Sequence, residues 1–237
     1  KTENEKRIYK FYKLLDKEKI TETILMRSVI SGFPFIVLIK DGKSLGEYFE
    51  LCNKKFRIDT IMLIGLNMLK LIQKLHSYNI VHNYIEPDNI MVLKQEGETN
   101  FIFSQFDNAV KKKIIVDNKR NFVSSRFSSL GSQLGIFPTF RDDLESLAYM
   151  LFYFLSQGTI LNQSTYDQIK LFKLNFLAEE FNHSDLCDEL IQFFNYSRFL
   201  AYEETPDYNY LIELFNNYFE KHNSAHACLY YDWDLKV

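Results

Sequence analysis

Proline and glycine are scarce in this chain of 237 residues, with 4 and 8 copies, so no Pro/Gly-rich linker divides it and no low-complexity segment is visible. Cysteine is scarcer still. Cys52, Cys187 and Cys228 are odd in number and show no C-x-x-C spacing, which argues against a disulfide framework and a zinc site and fits a reducing, intracellular compartment. A charge excess of either sign is lacking too, with 28 basic and 31 acidic residues and a net charge of -3. A nucleic-acid or membrane partner would show as a basic face, so neither is expected. Lys111-Lys112-Lys113 is the one obvious basic run and reads as solvated surface. The longest apolar run, Leu147 to Leu155, is too short to cross a bilayer. The first twenty residues are rich in charge and do not form a signal peptide.

What is present is enough apolar material, 46% of residues with 22 Phe and 15 Tyr, to bury a substantial core in one domain or two small lobes. Ile8, Phe11, Tyr12 and Leu15 have helical spacing and predict a helix over Glu3 to Leu15. Phe35 to Ile39 is a continuous apolar run rich in β-branched residues, read as a buried strand ending in a turn at Lys40-Asp41-Gly42. Asp59 is the expected cap of a long apolar helix from about Thr60 to Ser77. Phe101 to Phe103 predicts a short strand, and Asp143 to Leu155, Leu186 to Phe194 and Tyr210 to Phe219 predict helices. Short strands early and helices late indicate an α+β fold with a mainly helical second part.

The motif that carries chemistry is His82-Asn83-Tyr84-Ile85-Glu86-Pro87-Asp88-Asn89. It resembles the catalytic loop of protein kinases, H-R-D-x-K-P-x-N, in which the Asp takes the substrate hydroxyl proton and the Asn holds magnesium. His82, Pro87 and Asn89 keep the frame, while Asn83, Tyr84 and Glu86 replace the Arg, Asp and Lys. Phe101-Ile102-Phe103-Ser104-Gln105-Phe106-Asp107 fits the strand that ends in D-F-G, with Gln105 in the place of the metal-binding Asp. Further stretches, Gly135-Ile136, Arg141-Asp142-Asp143-Leu144-Glu145-Ser146-Leu147, Glu5 to Lys10, Pro206 to Leu211 and Tyr231-Asp232-Trp233, resemble the casein kinase 1 family along nearly the whole chain.

The resemblance implies a protein kinase-like fold, with residues 1–41 as a partial small lobe and hinge and 42–237 as a mainly helical large lobe. It places Glu5 on the helix whose Glu pairs with a nucleotide-binding Lys; the sequence ahead of Glu5 contains neither that Lys nor a glycine-rich loop. Leu38 matches the back of the adenine pocket, Ile39 and Asp41 the hinge, and Asn89 a remnant metal ligand. His82 is expected to pack beneath the metal-binding loop, Tyr84 to fill the cleft or pack on Phe106, and Asp143 to hydrogen-bond the loop backbone. Arg141 and Asp142 read as local ion pairs or surface charge, and Trp233 as an anchor for the C-terminal segment. Lys119, Arg120 and Arg126 could retain an anion-binding patch.

The chemistry at these positions opposes phosphoryl transfer. A tyrosine, with an ordinary pKa near ~10, is a poor proton acceptor at neutral pH. Losing a general base costs on the order of 10²–10⁴ in rate. A carboxylate beside the transferring phosphate repels it by about 4 kcal/mol per unit charge at ~4 Å and an effective dielectric near 20. Gln105 offers Mg²⁺ only a neutral carbonyl oxygen. The expectation is therefore a pseudokinase without ATP or metal cofactor, acting as a protein-binding or structural subunit of a larger assembly. The alternatives are a weak or atypical serine/threonine kinase, or an ATP-binding switch without turnover.

Overall fold

The computed structural model describes residues 2–40, 42–95, 97–112, 125–222 and 230–235. Helix α1 (Thr2–Leu15) runs through a short 3-10 turn, Asp16–Glu18, into the antiparallel hairpin β1 (Ile24–Ile30) and β2 (Phe33–Leu38). Ser31 and Gly32 form its two-residue turn with φ of 52° and 81°, the left-handed pair that suits the twist of a tight hairpin. Next come β3 (Lys43–Ser44), α2 (Leu45–Leu51), α3 (Ile58–Ser77) and β4 (Ile80–Val81). The strands β5 (Ile90–Gln95), β6 (Glu98–Phe103) and β7 (Val110–Lys111) follow. The remaining helices are α4 (Leu130–Gln133), α5 (Phe140–Leu155), α6 (Tyr166–Asn175), α7 (Asp188–Phe199) and α8 (Tyr208–Lys221). The described chain is thus mixed α+β, with strands mostly early and helices late.

The sheets are small: β1-β2, β3-β5-β6 and β4-β7, all paired antiparallel. Phe103 joins the segment between the 3-10 turn and β1 to the middle sheet, its amide donating to Ile20 O at 2.8 Å. Helix α3 is the central rod, buried from Thr60 to His76 on the faces that meet α5 and α8. Gly65 permits that crossing, because a Cβ there would clash with Phe215 Cε1 and lie 3.1 Å from Leu151 Cδ1. One apolar cluster runs from Ile8 on α1 to Trp233 near the end of the described chain. Trp233 stacks on Tyr231 at 4.5 Å and packs on Tyr48 and Phe56, fixing the C-terminal segment against α2 as expected.

Several sequence expectations need correction. Asp59 lies inside α3 and accepts from the Tyr218 hydroxyl at 2.9 Å; the N-cap position is Arg57, whose side chain instead pairs with Asp232 at 2.5 Å. The β2 run is not a buried strand: Phe35 to Leu38 are half-buried and Phe33 and Ile39 are exposed, since the hairpin has one partner strand per edge residue and α1 on one side. Asp142 is neither surface charge nor an ion pair. It is buried, takes the Ser129 hydroxyl at 2.5 Å and closes a capping box with the Thr139 amide at 2.7 Å. Burial pushes its carboxyl up to about 6. Lys112 is not simply solvated, because its ammonium lies over the Phe140 ring at 4.4 Å. Asp41, Lys113, Lys119, Arg120 and Cys228 lie outside the described residues.

Candidate functional site

The site is organised around Asp143, in the first turn of α5 and fully buried. Its Oδ2 accepts the His82 amide at 2.7 Å and His76 Nε2 at 2.8 Å, and its Oδ1 accepts the Asn83 amide at 2.7 Å. The expected bond from Asp143 to the loop backbone is therefore present, doubled, and extended to α3 by His76. Burial holds both His76 and His82 below the ordinary imidazole range, so each is neutral at physiological pH. A backbone carbonyl can only accept, so His82 Nε2, 2.9 Å from Ser104 O, carries the proton. His82 also packs edge-on to Phe106, consistent with a structural rather than proton-transfer role.

The residues between His82 and Asn89 are committed to one another. Asn83 adopts the left-handed region at φ 56° and accepts the Ser132 hydroxyl at 3.0 Å. Asn89, buried, donates its Nδ2 hydrogens to Tyr84 O at 3.1 Å and Glu86 Oε1 at 3.2 Å. The other Glu86 oxygen accepts from Ser125 Oγ at 2.5 Å, and that bond ties the loop to the segment before α4. Desolvation raises the Glu86 carboxyl, and the Ser125 hydroxyl opposes it. Burial, with Glu86 next, raises the Tyr84 phenol and keeps it protonated, so that its proton-accepting form is still scarcer at neutral pH.

Tyr84 does not pack on Phe106. The rings on Phe106 are Tyr12 at 5.2 Å and His82 at 4.9 Å, because α1 already fills that space, and Tyr84 turns into a neighbouring groove. This groove, of about 920 Å³, is faced by the carboxylates of Glu47, Glu50, Glu86 and Asp88 against Lys43 and Arg126. Its described lining is thus net acidic around Arg126, while Lys119 and Arg120 of the expected anion-binding patch lie outside the described residues.

A second cavity, of about 270 Å³, lies between α1, the β1-β2 hairpin and the Gln105–Asp107 turn. Glu5, Glu22 and Asp107 face it, with Tyr12, Ile36 and Leu38 as apolar wall. Glu5 Oε2 is buried with no hydrogen-bond partner. Gln105 is exposed in the left-handed region at φ 60°. The Ile39 amide, a hinge candidate for a purine, donates to Thr23 O at 2.9 Å and is spent within the fold.

The donors present do not fit a magnesium nucleotide. Gln105, in the place of the metal-binding Asp, carries no charge, and Glu5, Glu22 and Asp107 face the cavity beside it with carboxylates that repel phosphate. Among the described residues no group of three or more His, Cys, Asp or Glu side chains converges as a metal site. No described helix is long and apolar enough to cross a membrane. No protein-family model matches the chain. The structure joins His82 to Asp143 and binds Asn89 within the loop, whereas Ser125 and Glu22, which give the site its bonds and charge, carry no motif in the sequence.

Proposed function

We propose that this chain is a pseudokinase of casein kinase 1 type, a kinase-shaped protein that binds other proteins as a subunit of a larger assembly without transferring phosphate. The observation that carries the reading is the Glu86 carboxylate. It occupies the position where the resembling family has a phosphate-neutralising Lys, and it bonds to Asn89 and Ser125. A charge of the wrong sign is thereby tied into the loop's own hydrogen bonding. Preorganised electrostatics supply most of the acceleration of phosphoryl transfer, so inverting them removes more than the loss of one base.

The kinase-like part of the reading rests on the Asp143 carboxylate holding the His82 and Asn83 amides while His82 reaches Ser104 beside Gln105-Phe106. That arrangement keeps the loop's shape with no need of substrate. The proposal is tested by incubating the purified chain with γ-labelled ATP, Mg²⁺ or Mn²⁺, and casein as acceptor. No incorporation above the protein-free control is expected. Incorporation that disappears in Asn89→Ala would refute the reading.

A further inference from the structure

The cavity beside α1 holds an imbalance that the loop chemistry does not explain. Glu22 is 8% exposed, yet among the described residues it has neither a hydrogen-bond donor nor an ion-pair partner. The cation acting on it from a distance is Lys40, which is exposed and ion-paired with Glu47 at 3.6 Å. Glu5 Oε2, facing the same cavity, is also buried and unpartnered. Arg27 is the cation in the described lining, but its guanidinium lies over the Tyr9 ring at 4.5 Å and pairs with none of the three carboxylates. Burying a carboxylate without a donor is costly unless a counter-charge arrives. The desolvation raises the Glu22 carboxyl, as expected for an unpaired acid.

We propose that this cavity binds a small organic cation, an amidinium, guanidinium or primary ammonium group on an aromatic or branched apolar body. The charge goes between Glu22 and Glu5, and the body lies against Tyr12, Ile36 and Leu38. Three features select this class. The carboxylates require a cation; the apolar wall favours an organic body over a hydrated metal ion; and about 270 Å³ admits a fragment and not a nucleotide. The Tyr12 ring, edge-on to Phe106, adds an aromatic surface of the kind that attracts organic cations.

The test uses benzamidine, with benzamide as its uncharged isostere, titrated by calorimetry into the purified chain at neutral pH and low salt. Benzamidine is expected to bind saturably with a dissociation constant on the order of 1 mM or tighter. Benzamide is expected to bind at least about tenfold more weakly, one decade being the effect of a modest charge contact. Glu22→Gln, which removes an unpaired charge and leaves the shape, is expected to fold with unchanged circular dichroism and to weaken benzamidine about tenfold or more. Glu5→Gln provides a second variant with a loss in the same direction. Equal binding of benzamide and benzamidine would overturn the proposal, as would wild-type benzamidine affinity in a folded Glu22→Gln.

Discussion

The Ser125 hydroxyl donates to the Glu86 carboxylate at 2.5 Å, across 39 residues of sequence. The bond closes the loop that begins at His82 against the segment leading into α4, and it favours the ionised carboxyl in a place where burial opposes it. Ser125→Ala should therefore lower stability by about 1.5–3 kcal/mol, the range for a hydrogen bond to a charged group. It should also push the Glu86 carboxyl further up. Denaturant unfolding and carboxyl NMR titration measure the two effects. An unchanged Glu86 titration would show that the bond does not form in solution.

Asp143 has a purely architectural task in this account. Asp143→Asn replaces an acceptor of three bonds with a group whose NH₂ must face a donor, in a fully buried position. A loss of about 3 kcal/mol or more in urea unfolding is expected. A loss below about 1 kcal/mol, the worth of one ordinary bond, would contradict its role as the hub.

Lys173 gives a pH signature. It is fully buried on α6, donates to Ser128 O at 2.5 Å, lies over the Tyr149 ring at 4.4 Å, and has Glu145 and Arg198 nearby. Burial lowers its ammonium to about 7 from 10.5. Between those values the unfolded chain holds a proton that the folded chain lacks, so this group makes stability rise with pH. The stability of wild type minus that of Lys173→Met should climb between pH 7 and 10 by up to about 1 kcal/mol per unit. A flat or falling difference would show that Lys173 is not desolvated.

Gly65→Ala tests the packing of α3 on α8. The added methyl meets the Phe215 ring edge and the Leu151 methyl, and should cost about 1–3 kcal/mol by overpacking. Phe215→Leu in the same background should recover part of the loss, because it removes the atom in the way. Additive losses in the double variant would contradict the contact.

The sequence was most legible where a pattern is both local and buried. The apolar spacing of α3 and α5 gave their existence and central positions, but not Arg57 as the entry to α3, since its pairing with Asp232 is a contact 175 residues away. Strand β1 was invisible: Leu25, Met26, Arg27, Val29 and Ile30 are all exposed, so no alternation marks a face. In the site, the spacing of the loop motif singled out His82 and Asn89, and the separate Arg141–Leu147 stretch singled out Asp143, whose bonds to the loop amides the structure shows. Of the two places expected for Tyr84, packing on Phe106 fails because Tyr12 on α1 occupies that space, and the side chain lines the neighbouring groove. Glu22, between two threonines, has nothing in its neighbours to announce that the fold buries it unpaired.

The carboxylates of the loop and of the cavity beside α1 repel the phosphates of a nucleotide, and nucleotide binding is tested at equilibrium. A ligand that binds the folded state must raise the melting temperature. The account predicts that millimolar Mg·ATP leaves the melting temperature of the purified chain where Mg²⁺ alone leaves it. A saturable rise of several degrees, lost in Asn89→Ala, would contradict it.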